Sequence, residues 1–256
     1  KPVNIGLLGL GTVAGSTYQV LTRNAQEIAR RAGRGIVVSH ASVRNPDRVP
    51  SLGLEGVKLS DNPQAVVDDP DVSVVVELIG SYEDAFRLVM RAIENGKHVV
   101  TANKGLIALR GNEIFEAAQR RGVMVAFEAA VGGGIPIIKS IREGLAGNKI
   151  EWIAGIVNGT TNFILTAMRE QGRAFDDVLA EAQRLGYAEA DPSFDVDGID
   201  AAHKLTILAS IAFGIPLQFQ KVYTEGVSVV RPEDVVYAHE LGYVIKHLAI
   251  ARKTHG

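Results

Sequence analysis

The chain has 256 residues, 46% of them hydrophobic, with 27 Lys and Arg against 29 Asp and Glu for a formal net charge of −2, and no cysteine. That length suffices for one large core or two modest ones, and the scattered, balanced charge argues against nucleic acid or an anionic membrane surface as a partner. The missing cysteine excludes disulfides and a thiol nucleophile and fits a reducing, cytoplasmic setting.

No apolar run reaches bilayer-spanning length, because the run over 72–79 is interrupted by Ser73 and Glu77. A strand is expected from Val3 to Leu8, so close to the first residue that it leaves no room for a signal peptide. The turn Gly9-Leu10-Gly11-Thr12-Val13-Ala14 follows directly, and helical periodicity then runs over 13–32. Strand, glycine turn and helix are the context a dinucleotide fingerprint requires. Gly9 allows the tight turn, Gly11 lets backbone approach a pyrophosphate, and Ala14 lets helix pack on strand. Thr12 and Val13 open the helix whose N-terminus would face the negative charge. A tight strand-to-helix turn without a ligand would have the same spacing.

A second strand is expected over 36–43. An NAD site would place an acid at its end, whereas Ser42-Val43-Arg44-Asn45-Pro46-Asp47-Arg48 stands here. Arg44 suits a 2′-phosphate and favours NADP, with NAD still open; the other reading is a solvated loop arginine. A short helix around Ala65-Val66-Val67, a buried strand over 72–79, a helix over 83–95 and a strand over 98–101 follow. A helix over 112–121 and a strand over 123–127 complete a βαβα rhythm that predicts a doubly wound parallel sheet. Glu77 lies inside one of these strands, where a carboxylate requires a partner. Lys104 falls just past the carboxyl end of a parallel strand, where such sheets bind ligands, although a loop lysine is often only solvated.

The nucleotide domain is expected to end near residue 129, and residues 130–256 to form a second, α+β domain. The passage Glu128-Ala-Ala-Val131-Gly-Gly133-Gly-Ile135-Pro reads as a metal-binding turn of carbonyls or as a hinge. No P-loop lysine and serine follow at the spacing a phosphate loop requires. Beyond it come a helix over 136–146 and a strand over 151–157. The run Asn158-Gly-Thr-Thr-Asn162 either offers polar groups to a small substrate or caps the next helix through Thr160 or Thr161. Helices over 163–171 and 175–185 lead into an acidic loop with Glu189, Asp191, Asp195 and Asp197. Asp197 then caps an apolar helix over 198–213 closed by Gly214 and Pro216. A strand over 222–230, a short helix from Pro232 and a strand over 243–252 end the chain.

Asp200 and Lys204 are four apart and share one face of that apolar helix. Most such pairs are exposed and contribute roughly 0.2–0.5 kcal/mol. A lysine entering a buried helix, however, requires a partner, and its pKa responds to burial and charge, so it is a candidate acid/base. His203 points about 100° away and is expected to pack or to cap. The six histidines show no ligand spacing.

The pattern Ala182, Gly186-Tyr187, Asp191-Pro192, Asp195, Gly198, Asp200, Lys204 resembles the signature segment of homoserine dehydrogenases, and the likeness extends upstream through Thr101-Ala-Asn-Lys104. The resemblance implies a Rossmann-type doubly wound domain followed by an α+β catalytic and dimerisation domain. The implied reaction interconverts L-homoserine and L-aspartate 4-semialdehyde with NADP or NAD, in threonine, methionine and isoleucine biosynthesis. It implies that Lys204 is the acid/base, that Asp200 orients it, that Glu189 and Asp195 serve the substrate, and that Lys104 lies between nicotinamide and substrate. It also implies a sodium ion held by Glu128 and the carbonyls of Val131, Gly133 and Ile135, and a homodimer. Members of the family continue with further strands, a closing helix and often a regulatory domain, a remainder that lies outside these 256 residues. Competing readings are another NAD(P)-dependent sugar or imine dehydrogenase and a non-catalytic nucleotide sensor. An acyl-phosphate-forming aldehyde dehydrogenase would require the thiol this chain lacks.

Overall fold

The structure is a computed structural model that describes residues 1–44, 49 and 52–254. Asn45, Pro46, Asp47 and Arg48, which follow the second strand in sequence, lie outside the described residues. The chain divides into two compact units, Lys1–Ile135 and Pro136–Gly256.

The first unit is built on six strands: β1 (Val3–Leu8), β2 (Ile36–Ser42), β3 (Lys58–Ser60), β4 (Val74–Glu77), β5 (His98–Thr101) and β6 (Val125–Ala126). They run in the order β3-β2-β1-β4-β5-β6, with every neighbouring pair parallel. This is the doubly wound arrangement expected, and its order reverses between β1 and β4, the place where such sheets open a crevice. The connecting helices are α1 (Thr12–Arg23), α2 (Ala25–Ala32), α3 (Pro63–Asp68), α4 (Tyr82–Glu94) and α5 (Lys104–Arg121). Apolar strands covered by helices pack Leu8, Val75 and Val99 against Leu88, Ile93 and Ile114. Each such large side chain withdrawn from water contributes roughly 2 kcal/mol.

Several boundaries differ from expectation for local reasons. The long helix over 13–32 breaks at Asn24, whose φ of −104° and ψ of 19° leave the helical region. The strand β3 has only three residues, too few for a periodic signal. Helix α5 begins at Lys104, eight residues earlier than periodicity indicated. Asn103 caps it, its Oδ1 accepting from the Leu106 N–H at 3.0 Å. Gly105 fits there because Tyr82 lies against it, and a Cβ would approach that ring to 2.4 Å.

The second unit contains α6 (Ile137–Lys139), β7 (Trp152–Gly155), α7 (Gly159–Gln171), α8 (Phe175–Arg184), α9 (Ser193–Val196), α10 (Ile199–Phe213), α11 (Pro232–Glu240) and β8 (Ala249–Arg252). Strands β7 and β8 pair antiparallel, with Trp152 opposite Arg252 and Gly155 opposite Ala249. Its core gathers Ile164, Met168, Val178, Val196, Val227 and Val235. The single helix expected over 136–146 is instead α6 running into a π-turn, Ser140–Gly144, closed by Leu145 N–H to Ser140 O at 2.9 Å. The strand expected over 222–230 is not formed. Val227 N–H donates to Val196 O at the end of α9 instead, and among the described residues the alternating positions have no ladder partner. Of the strand expected over 243–252, only β8 pairs. Among the described residues no helix is long and apolar enough to cross a membrane.

Candidate functional site

In the first unit the glycine turn after β1 opens onto a cleft of about 540 Å³ lined by Gly9, Gly11, Ser42, Arg44, Ile79 and Gly80 among others. Gly9 has a φ of 91°, which favours glycine, and its N–H donates to Ser42 Oγ at 3.0 Å. A Cβ at Gly11 would meet nothing within 4 Å, so that backbone stays open to approach from the cleft side. Ala14 is buried at 1% exposure, where only a small side chain lets α1 settle on the sheet. The cleft size, the open glycine and the adjoining helix N-terminus fit a dinucleotide phosphate. Arg44 lies on the lining at the end of β2, with its guanidinium 3.7 Å from Asp84 Oδ2. Thr12 and Val13 form the exposed first turn of α1 and, like Lys104, are not among the residues lining the cleft. Lys104 is half-buried as the first residue of α5.

The second unit assembles the other group. Asp200 lies in the first turn of α10 and Lys204 one turn on, with Nζ 2.7 Å from Asp200 Oδ2. The side chains are only 4% and 17% exposed, so this is no solvated surface pair. Lys204 Nζ also donates to Val157 O at 2.7 Å. A lysine ammonium carries three donors, and these two bonds leave one to reach outward.

Asn158, next along from Val157, joins the acids. Its Nδ2 donates to Asp200 Oδ2 at 2.9 Å and to Asp195 Oδ1 at 2.7 Å. Its Oδ1 accepts from the Thr161 N–H at 2.8 Å and from Thr161 Oγ1 at 3.0 Å. This orients the amide, since the reverse would set its oxygen against two carboxylates. Asn158, rather than Thr160 or Thr161, is therefore the cap of α7, and Thr160 Oγ1 donates instead to Tyr187 O at 2.8 Å. Val157, Asn158 and Thr161 are thus joined in one hydrogen-bonded group with Asp195, Asp200 and Lys204, which lie far from them in sequence. The sequence reading missed the role of Asn158, whose only local signal was its place before a helix.

Asp197 does not cap α10. It ends α9, and Gly198, with a φ of 84°, makes the corner into α10. In the loop before it, Asp191 Oδ1 accepts from the Ser193 hydroxyl and N–H, and these bonds hold its carboxyl below the usual range. Glu189 is exposed, while Gln183 Nε2 donates to the carbonyls of Glu189 and Ala190 and ties the loop to α8. His203 packs between Phe194 and Phe219, as its position on the helix implied.

Glu128 opens a one-turn 3₁₀ helix, Glu128–Ala130, with Val131 buried after it and Gly133 and Ile135 exposed. Val131 N–H bonds Glu128 O, and Ile135 N–H bonds Gly132 O. A set of carbonyl oxygens with one carboxylate is chemically suited to a hard cation of low charge.

Two family models match the chain: one described as homoserine dehydrogenase over residues 136–255, and one described as its NAD binding domain over residues 9–128. The homoserine dehydrogenase of Pseudomonas aeruginosa is 65% identical over 254 residues, covering 99% of this chain and 58% of that protein. A crystal structure of a homoserine dehydrogenase from Thiobacillus denitrificans is 67% identical, with a TM-score of 0.96, over 100% of this chain and 59% of that one. A hyperthermophilic archaeal homoserine dehydrogenase in complex with NADPH is 28% identical, with a TM-score of 0.81, over 99% and 79% of the two chains. The chain thus spans somewhat less than three fifths of the length of these two bacterial relatives. With both family models matched in chain order, and high identity along nearly its whole length, the chain belongs to the homoserine dehydrogenase family.

Proposed function

We propose that this chain carries the cofactor-binding and catalytic parts of an NADP-dependent homoserine dehydrogenase, interconverting L-homoserine and L-aspartate 4-semialdehyde for threonine, methionine and isoleucine synthesis in the cytoplasm. The observation that carries this reading is the largely buried Lys204 ammonium, aimed by Asp200 and Val157 O with one donor to spare. A bound reduced nicotinamide supplies the hydride to the aldehyde carbon. Lys204 donates a proton to the aldehyde oxygen as negative charge grows there, and takes it back in the reverse direction. Asp200 keeps the ammonium charged and oriented through a charge-assisted hydrogen bond. Asn158 fixes Asp200 and Asp195 together, so the acid that orients the lysine and the acid serving the substrate loop share one support.

Glu189 takes the substrate's amino group and Asp195 supports the same loop. Gly9, Gly11, Thr12 and Val13 receive the pyrophosphate, and Arg44 receives the 2′-phosphate in place of its weak contact with Asp84. Lys104 serves nicotinamide and substrate. Glu128 and the carbonyls of Val131, Gly133 and Ile135 hold a sodium ion, and the working assembly is a homodimer.

Homoserine-dependent reduction of NADP⁺, followed by NADPH absorbance, tests the reading, with Lys204→Ala as control. Turnover by the wild type and its loss in the variant are expected. A wild-type protein that binds NADP⁺ but exceeds the variant with no substrate would instead favour a nucleotide sensor.

A further inference from the structure

One carboxylate in the first unit has no part in the scheme above. Glu77, the last residue of β4, is fully buried at 0% exposure. Its Oε1 accepts from the Ile79 N–H at 2.6 Å and its Oε2 accepts from Thr101 Oγ1, at the end of β5, also at 2.6 Å. Thr101 Oγ1 in turn accepts from the Asn103 N–H at 3.0 Å, so the single hydroxyl proton goes to Glu77. Asn103 then closes the circuit: its Nδ2 donates to Ile79 O at 3.3 Å and its Oδ1 caps α5 through the Leu106 N–H.

We propose that Glu77 is a positioning residue for the dinucleotide site, acting through Thr101 and Asn103 to hold both the Leu78-Ile79-Gly80 wall of the cleft and the helix start that carries Lys104. The proposal rests on the dinucleotide reading of the cleft given above. Both peptide groups flanking Ile79 are gripped by side chains, the N–H by Glu77 and the C=O by Asn103. Leu78, Ile79 and Gly80 all line the cleft, and the Leu78 carbonyl lies 3.3 Å from where a Cβ on Gly9 would stand. A shift of this wall therefore presses directly on the glycine turn. The first residue of the helix that the same circuit caps is Lys104.

A mere staple between two strands would not require a carboxyl here. Apolar side chains of similar volume join buried strand ends at lower cost than a buried ionised group. Burial holds the Glu77 carboxyl above the usual carboxylate range against the opposing pull of Thr101 and the Ile79 N–H. Two acceptor oxygens facing two donors is an arrangement that glutamate satisfies and glutamine does not. An amide keeps one acceptor and turns a donor toward a hydroxyl whose proton then loses its partner.

The test is NADPH affinity by fluorescence titration of the whole chain, with thermal melting alongside. Glu77→Gln is expected to weaken NADPH binding about three- to tenfold, the equivalent of one lost hydrogen bond, with melting lowered by no more than that one bond accounts for. Thr101→Val should weaken binding likewise and Thr101→Ser should restore it, so this pair decides the matter should Glu77→Gln not fold. A wild type that binds NADPH, with Glu77→Gln and Thr101→Val binding equally well, overturns the proposal and leaves the cofactor site standing. A wild type that binds no NADPH overturns the dinucleotide reading, and the proposal falls with it.

Discussion

At the residue scale two polar groups, the half-buried Lys204 and the fully buried Glu77, answer to different physics. Lys204 is held by an opposite charge and a carbonyl, so replacement by Ala removes the proposed proton donor and leaves Asp200 with only its remaining partners. Turnover of homoserine is expected to fall roughly 10²–10⁴-fold, with NADP⁺ affinity unchanged. Lys204→Arg should not restore it, because a guanidinium does not release its proton near neutral pH; equal rates for Arg and Lys would refute the acid/base role. Asn158→Ala withdraws donors from two carboxylates at once and should cost about 1–3 kcal/mol in chemical denaturation. Asn158→Asp should cost more, since it sets a third carboxylate against Asp195 and Asp200.

Glu77 yields a pH prediction. Burial raises its carboxyl above the ordinary value in the folded state, so folding binds more protons than unfolding where the group titrates. Its contribution is therefore most favourable below the unfolded pKa, declines as pH rises to the folded value, and is level above it. Glu77→Gln lacks this dependence. The wild type should lose stability relative to the variant between those two values, read as the difference in urea midpoints across acidic to neutral pH. A difference that does not change with pH would contradict it.

At the scale of elements, Lys104, Asn158 and Asp200 are each placed by how a helix begins. Helix α5 starts at Asn103 by a side-chain cap, α7 starts at Asn158 in the same way, and α10 starts at Gly198 by a left-handed corner. A Cβ at Gly198 would lie 3.2 Å from both Glu225 O and His247 Nε2, besides adopting a positive φ. Gly198→Ala should thus destabilise the fold by about 1–2 kcal/mol. It should also lower turnover by more than that loss of folded protein explains, because it tilts the helix turn that carries Asp200. Circular dichroism titrations alongside kinetics at matched folded fraction would separate the two effects.

At the scale of the molecule, each of the two units has its own apolar core. The only tryptophan, Trp152, belongs to the second unit and is exposed on β7, so its emission reports on that unit. A ligand at about 100 times its Kd stabilises what binds it by roughly 2.7 kcal/mol. NADP⁺ should therefore raise the far-ultraviolet dichroism melt, in which the first unit takes part, more than the tryptophan melt. An equal shift in both signals would mean that the two units unfold as one.

Much of this architecture is local and legible in the sequence. Strand β1, the glycine turn and the parallel rhythm follow from apolar runs and turn chemistry that near neighbours decide. The Asp200–Lys204 pair follows from helical spacing alone. Long-range contacts decided the rest. The run over 222–230 alternates like a strand but bonds the end of α9 instead of a ladder. The Asn158 amide meets carboxylates 37 and 42 residues away, and Glu77 finds its hydroxyl 24 residues on. Periodicity says which face of an element turns inward, because that depends on the residues within one turn or pleat. Only the packed chain says which buried donor meets which buried acceptor, because that pairing is set by the closure of distant segments around a common core.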